Sequence, residues 1–290
     1  MRVTQSILYD NFLFYLNKDK SELQKVYSKI SSGKKLLKSS DDPFAALKAL
    51  EHKSDLAVKS QHLRNLEGVR EWQSASESAL RAIENTLLKL KEIAISQGSD
   101  SATTSTRVIF APQVEQLRKQ LLSLFNSRLG NRYLFAGSQV TNPPYRDDGT
   151  YVGNDEDLEV DVGLSRTVSY NVKGSVFSSG DNIVQMVAQL RDALQNNDVT
   201  TIRNMIDRLS DAYQRVTSEH SRLGLKMEMM EHVKEGIRRG EIEVQGRLSE
   251  IEDAELSNEA ARLAMMQTVY QSTLAGMTKV LQTNIFSFLG

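Results

Sequence analysis

The sequence predicts a mainly α protein: a long antiparallel helical bundle or coiled coil formed by both termini, with a small β-rich insertion in the middle. Three observations predict it. Only four prolines, Pro43, Pro112, Pro143 and Pro144, interrupt 290 residues, and long proline-free stretches suit long helices. A ladder of mostly apolar residues, stepping alternately by four and three, runs from Ile202 to Ile251, which is the signature of a coiled-coil seam. Between Gln139 and Gly180 the composition shifts to five glycines, two of the prolines, and seven acids against three bases. The chain therefore divides into three regions: 1–40 with 255–290, a terminal coiled coil; 41–138 with 181–254, a helical body; and 139–180, the β-rich insertion.

The first element carries Val3, Ile7, Leu8, Phe12, Leu13, Phe14, Leu16, Leu23, Val26 and Ile30 on an apolar face. Burying these side chains cannot offset the entropy of ordering the whole segment, so it cannot fold alone. We expect both ends to be mobile in a free monomer and to order when copies pack together. Ser31-Ser32-Gly33-Lys34 reads as a loop, and Asp42-Pro43 as a helix start with Asp42 as the N-cap.

The helix from Pro43 reaches about Gln97, before Gly98-Ser99-Asp100-Ser101. Leu66, Val69, Leu80, Ile83, Leu87, Leu90 and Ala94 share its inner face, with Gln73 and Ser76 as polar intruders. A further helix spans roughly Thr106 to Leu129, stopping at Gly130, with Pro112 in its first turn or at a kink; Leu117, Leu121 and Leu124 form its stripe. In the insertion, Leu158, Val160 and Val162, then Val168, Tyr170 and Val172, alternate with polar residues or glycine. That period of two marks half-buried strands.

The ladder reads Ile202, Ile206, Leu209, Tyr213, Val216, His220, Leu223, Met227, Met230, Lys234, Ile237, Glu241, Val244, Leu248 and Ile251. Gly224, Gly236, Gly240 and Gly246 mark places where the helix could break. Leu263, Met266, Tyr270, Leu274, Met277, Leu281, Ile285 and Phe288 continue an apolar stripe. An unbroken helix from Thr200 to Phe288 would be about 130 Å long, and it needs another long helix to cover it.

Composition excludes several classes. Thirty-six bases against 37 acids leave no excess for a general nucleic-acid binder. The absence of cysteine excludes disulfides, thiolate metal sites and cysteine nucleophiles. No stretch is long and apolar enough to span a membrane, and Asn11 to Leu16 is too short for a signal peptide.

No catalytic, cofactor-binding or metal site is expected. His52, His62, His220 and His232 form no His-Glu-x-x-His pair, and His220 reads as a polar seam residue. Ser31-Ser32-Gly33-Lys34 lacks the rest of a phosphate loop. The acids from Asp147 to Asp161 lack calcium-loop spacing and read as a solvated surface. Met227, Met229 and Met230 read as core at helical spacing. Paired acids such as Glu241 and Glu243 imply no pocket.

Three segments resemble the bacterial flagellin family. The first is Met1-Arg2-Val3-Thr4-Gln5, with Ile30-Ser31-Ser32-Gly33-Lys34-Lys35 and Asp41-Asp42-Pro43. The second is Asn131-Arg132-Tyr133-Leu134-Phe135-Ala136-Gly137-Ser138, then Pro144-Tyr145 and Tyr151-Val152-Gly153-Asn154-Asp155. The third is Ile285-Phe286-Ser287-Phe288-Leu289-Gly290. The second is similar to the family's hook–filament junction branch. Filament flagellins usually have Arg-Leu before the loop, where this chain has Lys29 and Ile30.

The resemblance implies a non-enzymatic structural adaptor of the flagellum, with no cofactor and no metal. Its termini would form the inner coiled-coil layer of a hollow tube, and the β insertion would face outward. Implied partners are further copies of itself in a ring, the first hook-associated protein, flagellin and an export chaperone. The chain would be secreted through the flagellar export channel to the hook–filament junction. A short filament flagellin and a cytoplasmic coiled-coil scaffold are the competing readings.

Overall fold

The computed structural model describes residues 2–163 and 167–289, without the side chains of residues 2–6, 8 and 280–289. Val3, Leu8, Arg166, Leu281, the start of the first family-like segment (Met1 to Gln5) and the whole of the third (Ile285 to Gly290) thus lie outside the described side chains. Six α-helices dominate: α1 (Arg2–Ser32), α2 (Pro43–Gly98), α3 (Thr104–Phe125), α4 (Ile183–Gln195), α5 (Val199–Glu252) and α6 (Leu256–Leu289). Two small antiparallel hairpins lie between α3 and α4: β1 (Arg128–Leu129) with β2 (Arg132–Tyr133), and β3 (Glu159–Asp161) with β4 (Thr167–Ser169). The mainly α class with a small central β insertion holds.

The chain forms two compact units, one of residues 1–58 with 240–290 and one of residues 59–239. In the first, α1 packs against α6. The pairing is antiparallel: Thr273 donates to Asp19 at 2.8 Å and Gln267 to Tyr27 at 2.8 Å. Phe12 approaches Gly276, where an added Cβ would lie 3.5 Å from the ring. At the head of α2, the Asp42 carboxylate accepts from the backbone N–H of Phe44 and Ala45, at 3.1 and 3.0 Å, as an N-cap should.

The second unit holds the main core. Every residue of the predicted α2 stripe is buried, including Gln73 at 1% exposure and Ser76 at 0%. Ser76 donates to the Trp72 carbonyl, which satisfies it within the helix. Every ladder residue from Ile202 to Ile251 is buried or half-buried along the single helix α5, and none of its glycines breaks it. Stacked Phe125 and Phe177, 4.5 Å between centroids, join Phe135 and Tyr145 in an aromatic knot beneath the insertion.

Four expectations need correction. Helix α3 begins at Thr104 behind a Thr103–Thr106 capping box and ends at Phe125, four residues before Leu129. Asn126 ends it by turning its amide onto Tyr145, accepting from that backbone N–H and donating to that carbonyl, both at 2.9 Å. The chain then forms the first hairpin, whose turn is Gly130-Asn131 with Gly130 at φ 59°. Pro112 lies well inside α3, beyond its first turn.

The long C-terminal helix does break, at residues 253–255 and not at a glycine. There the segment Gly33–Lys35 crosses the chain. Lys35 donates to the Glu252 carbonyl at 2.7 Å, and Ala254 to the Gly33 carbonyl at 2.8 Å. These backbone groups exchange helical partners for an antiparallel bridge between Lys34 and Asp253. Finally, Met230 is buried in a small satellite cluster and Met227 packs against the main core, but Met229 is 41% exposed.

Candidate assembly surface

The paired α1 and α6 leave much apolar surface wet. On α1, Ile7, Phe14, Tyr15 and Tyr27 are each about half exposed or more, and Val26 alone among the described side chains of this helix is fully buried. On α6, Leu256 and Met265 are 55% and 66% exposed. The first turns of α2 add Phe44, Leu47 and Leu50. Isolated apolar residues on a surface need no explanation, but this many on two paired helices and their neighbour mark an interaction surface. A groove of about 280 Å³ lies beside them, lined by Leu36, Leu37, Ala46, Ala49, Leu50 and the carboxylate-bearing Glu252.

An ion network fixes the crossing beneath that groove. Lys34 reaches Asp253 at 2.5 Å and Glu252 at 3.3 Å, and Lys53 also bonds Glu252. Lys53 first and Lys34 second hold the Glu252 carboxyl below its ordinary range. Lys34, then Ser249, do the same for Asp253. Asp253 in turn raises the Lys34 ammonium. Lys34 is thus committed to carboxylates, and Ser32 accepts its backbone N–H at 3.2 Å. The loop is a joint between chain segments.

The predicted histidine on the seam is held by acids. His220 Nδ1 lies 3.0 Å from Glu84 and Nε2 lies 3.9 Å from Glu77. Reading the sequence missed His62, whose Nδ1 lies 3.2 Å from the Asp161 carbonyl in the insertion. It also missed Arg107, buried at 5% exposure. Arg107 donates to the carbonyls of Gln97 and Ser99 and to Asn197, capping the end of α2. The acids from Asp147 to Asp161 are exposed. Among the described residues no group of three or more His, Asp or Glu is placed to hold a metal ion, and no helix is long and apolar enough to cross a membrane.

The middle family-like segment proves to be the lock of the insertion. Phe135 enters the aromatic knot, and Gly137, at φ 66°, lies flat against Asn154. Asn154 bonds Ser138 through both amide atoms, accepting from its backbone N–H and donating to its hydroxyl, each at 2.8 Å.

Paired terminal helices with unspent apolar surface, a helical body and a small β insertion define a helical assembly protein. Residues 3–140 match the bacterial flagellin N-terminal helical region and residues 206–289 the bacterial flagellin C-terminal helical region; the chain belongs to the bacterial flagellin family. It is 28% identical over 170 residues to flagellar hook-associated protein 3 of Escherichia coli (strain K12), covering 58% of this chain and 54% of that protein. It is 27% identical over 182 residues to the Salmonella typhimurium (strain LT2) protein of the same name, covering 62% and 57%. The chain thus aligns with a little over half the length of these relatives. The crystal structure of Bacillus cereus FlgL shares the fold, with a TM-score of 0.61 at 18% identity, covering 69% of this chain and 99% of that one.

Proposed function

We propose that this chain is a structural adaptor of the bacterial flagellum, not an enzyme. It joins the hook end, through the first hook-associated protein, to the flagellin filament. The observation that carries the reading is the apolar surface left exposed on the paired α1 and α6. Copies arranged in a ring would bury it between neighbours, which supplies the packing that a lone helix pair lacks. In this reading residues 1–40 with 255–290 form the inner layer of a tube, 41–138 with 181–254 the next, and 139–180 the outer face. The chain reaches the junction by secretion through the flagellar export channel, with a dedicated chaperone. Membership of the flagellin family and likeness to two proteins named flagellar hook-associated protein 3 support this.

The test is genetic. Cells lacking the protein should keep hooks and shed unpolymerised flagellin into the medium, and the wild-type chain should restore filaments. A Phe14→Ser/Tyr15→Ser variant should be exported yet fail to restore them. Seeded growth of long filaments from the purified chain alone would instead make it a filament flagellin.

A further inference from the structure

Gln73 in the α2 stripe and Lys234 in the α5 ladder are two of the residues that break the apolar pattern of the sequence. The structure brings both to the same cavity. It has a volume of about 270 Å³ and lies between α2 and α5, within the unit of residues 59–239. Gln73 is 1% exposed and its amide nitrogen has no hydrogen-bond partner. Lys234 is 7% exposed and lines the same cavity. An unpaired buried donor costs free energy. An orphaned amide donor beside a cationic side chain in one cavity describes a site waiting for an acceptor.

The walls say which acceptor. Arg70 adds a guanidinium at the exposed rim, so three donor groups converge. Leu66, Met227 and Met230 supply an apolar wall. Glu231 lies at the exposed rim as well, and the side chains lining the cavity carry two positive charges against one negative. A compact, fully hydrated anion would leave the apolar wall unsatisfied. We propose that the cavity lined by Leu66, Arg70, Gln73, Met227, Met230 and Lys234 binds a carboxylate carried on a short aliphatic stem. The carboxylate accepts from Lys234 and Gln73, with Arg70 closing over it, and the stem lies along the methionines. Charge-assisted hydrogen bonds in a partly dry pocket give such a site its affinity. A free short-chain acid and the side chain of a glutamate on a neighbouring subunit share this chemistry.

The full-length chain tests it at fixed ionic strength. Butyrate should bind saturably in a calorimetric titration and raise Tm by about 2 °C or more, relative to equal chloride. Gln73→Leu should weaken binding about tenfold, and Lys234→Met should abolish it while the far-ultraviolet helical signal is kept. N-acetylglutamate methylamide separates the sources: binding as tight as butyrate assigns the cavity to a glutamate side chain, and binding of butyrate alone assigns it to a free acid. The proposal fails if neither compound acts beyond the chloride control. It also fails if inorganic phosphate binds more tightly than butyrate, or if both variants respond as the wild type does. The wild-type calorimetric titration stands whether or not a variant folds.

Discussion

The Tyr145 phenol donates a 2.6 Å hydrogen bond to the Gly174 carbonyl, and both groups are buried. Burial also pushes the phenol's pKa up, so it remains a donor at any ordinary pH. Tyr145→Phe leaves that carbonyl without a partner while keeping the ring in the knot with Phe125 and Phe177. Urea unfolding should show a loss of about 1–3 kcal/mol, with the helical content of the folded state unchanged.

Gly137 and Gly224 should respond in opposite directions to alanine. At Gly137 a Cβ would stand 1.9 Å from the Asn154 carbonyl oxygen, and φ is 66°. Gly137→Ala should cost at least about 2 kcal/mol. Gly224 is an exposed helical position with nothing within 4 Å of an added Cβ. Gly224→Ala should stabilise by about 1 kcal/mol. Thermal melts of the two variants give the signs.

Glu115 should set part of the acid stability. It bonds Arg118 at 2.8 Å and Arg191 at 2.9 Å. Arg118 first, then Arg191, hold its carboxyl at about 2, against an ordinary value of 4.5. The unfolded chain therefore takes up this proton at higher pH than the folded one. The stabilisation is fully present above about pH 4.5 and is lost as pH falls towards 2. Glu115→Gln should cost about 1 kcal/mol at pH 7, scaled for a solvent-screened pair. Urea titrations should show that difference shrinking to nothing near pH 2.

Lys34→Met should loosen the crossing at residues 253–255 without unfolding the rest. Its loss leaves Asp253 with the Ser249 hydroxyl alone and Glu252 with Lys53 alone. Amide exchange at Lys35 and Ala254, whose N–H groups bridge the crossing, should speed up about fivefold, the equivalent of roughly 1 kcal/mol. Exchange at Leu87 and Leu209 should be unchanged.

Periodicity made the helices legible. The α2 stripe and the α5 ladder each name inward-facing residues, because a helix repeats its face whatever covers it. Asp42-Pro43 was legible for the same reason: an N-cap is local chemistry. The misplaced boundaries depend on distant partners. Asn126 ends α3 because Tyr145 offers backbone groups, and the chain breaks after Glu252 because Gly33–Lys35 crosses there. Neither partner is near in sequence. The Gly130-Asn131 pair was a readable hairpin signal, outweighed by the leucines before it. Met229 was misplaced because its neighbours at 227 and 230 carry the seam and it does not. The assembly surface was half legible: the apolar face of α1 was plain, but which of its residues α6 leaves uncovered, such as Phe14 and Tyr15, is settled only by packing.

The pairing of α1 with α6 also has a consequence for the order of events. Asp19 and Thr273, bonded in the folded chain, are separated by 254 residues. Closing so long a loop carries an entropy cost that no local contact repays in advance. A ribosome delivers Asp19 long before Thr273, so α1 waits unpartnered while residues 59–239 have everything they need to fold. The unit of residues 1–58 with 240–290 therefore forms after residues 59–239 and is the first in line to be held open by anything that binds one of its helices alone.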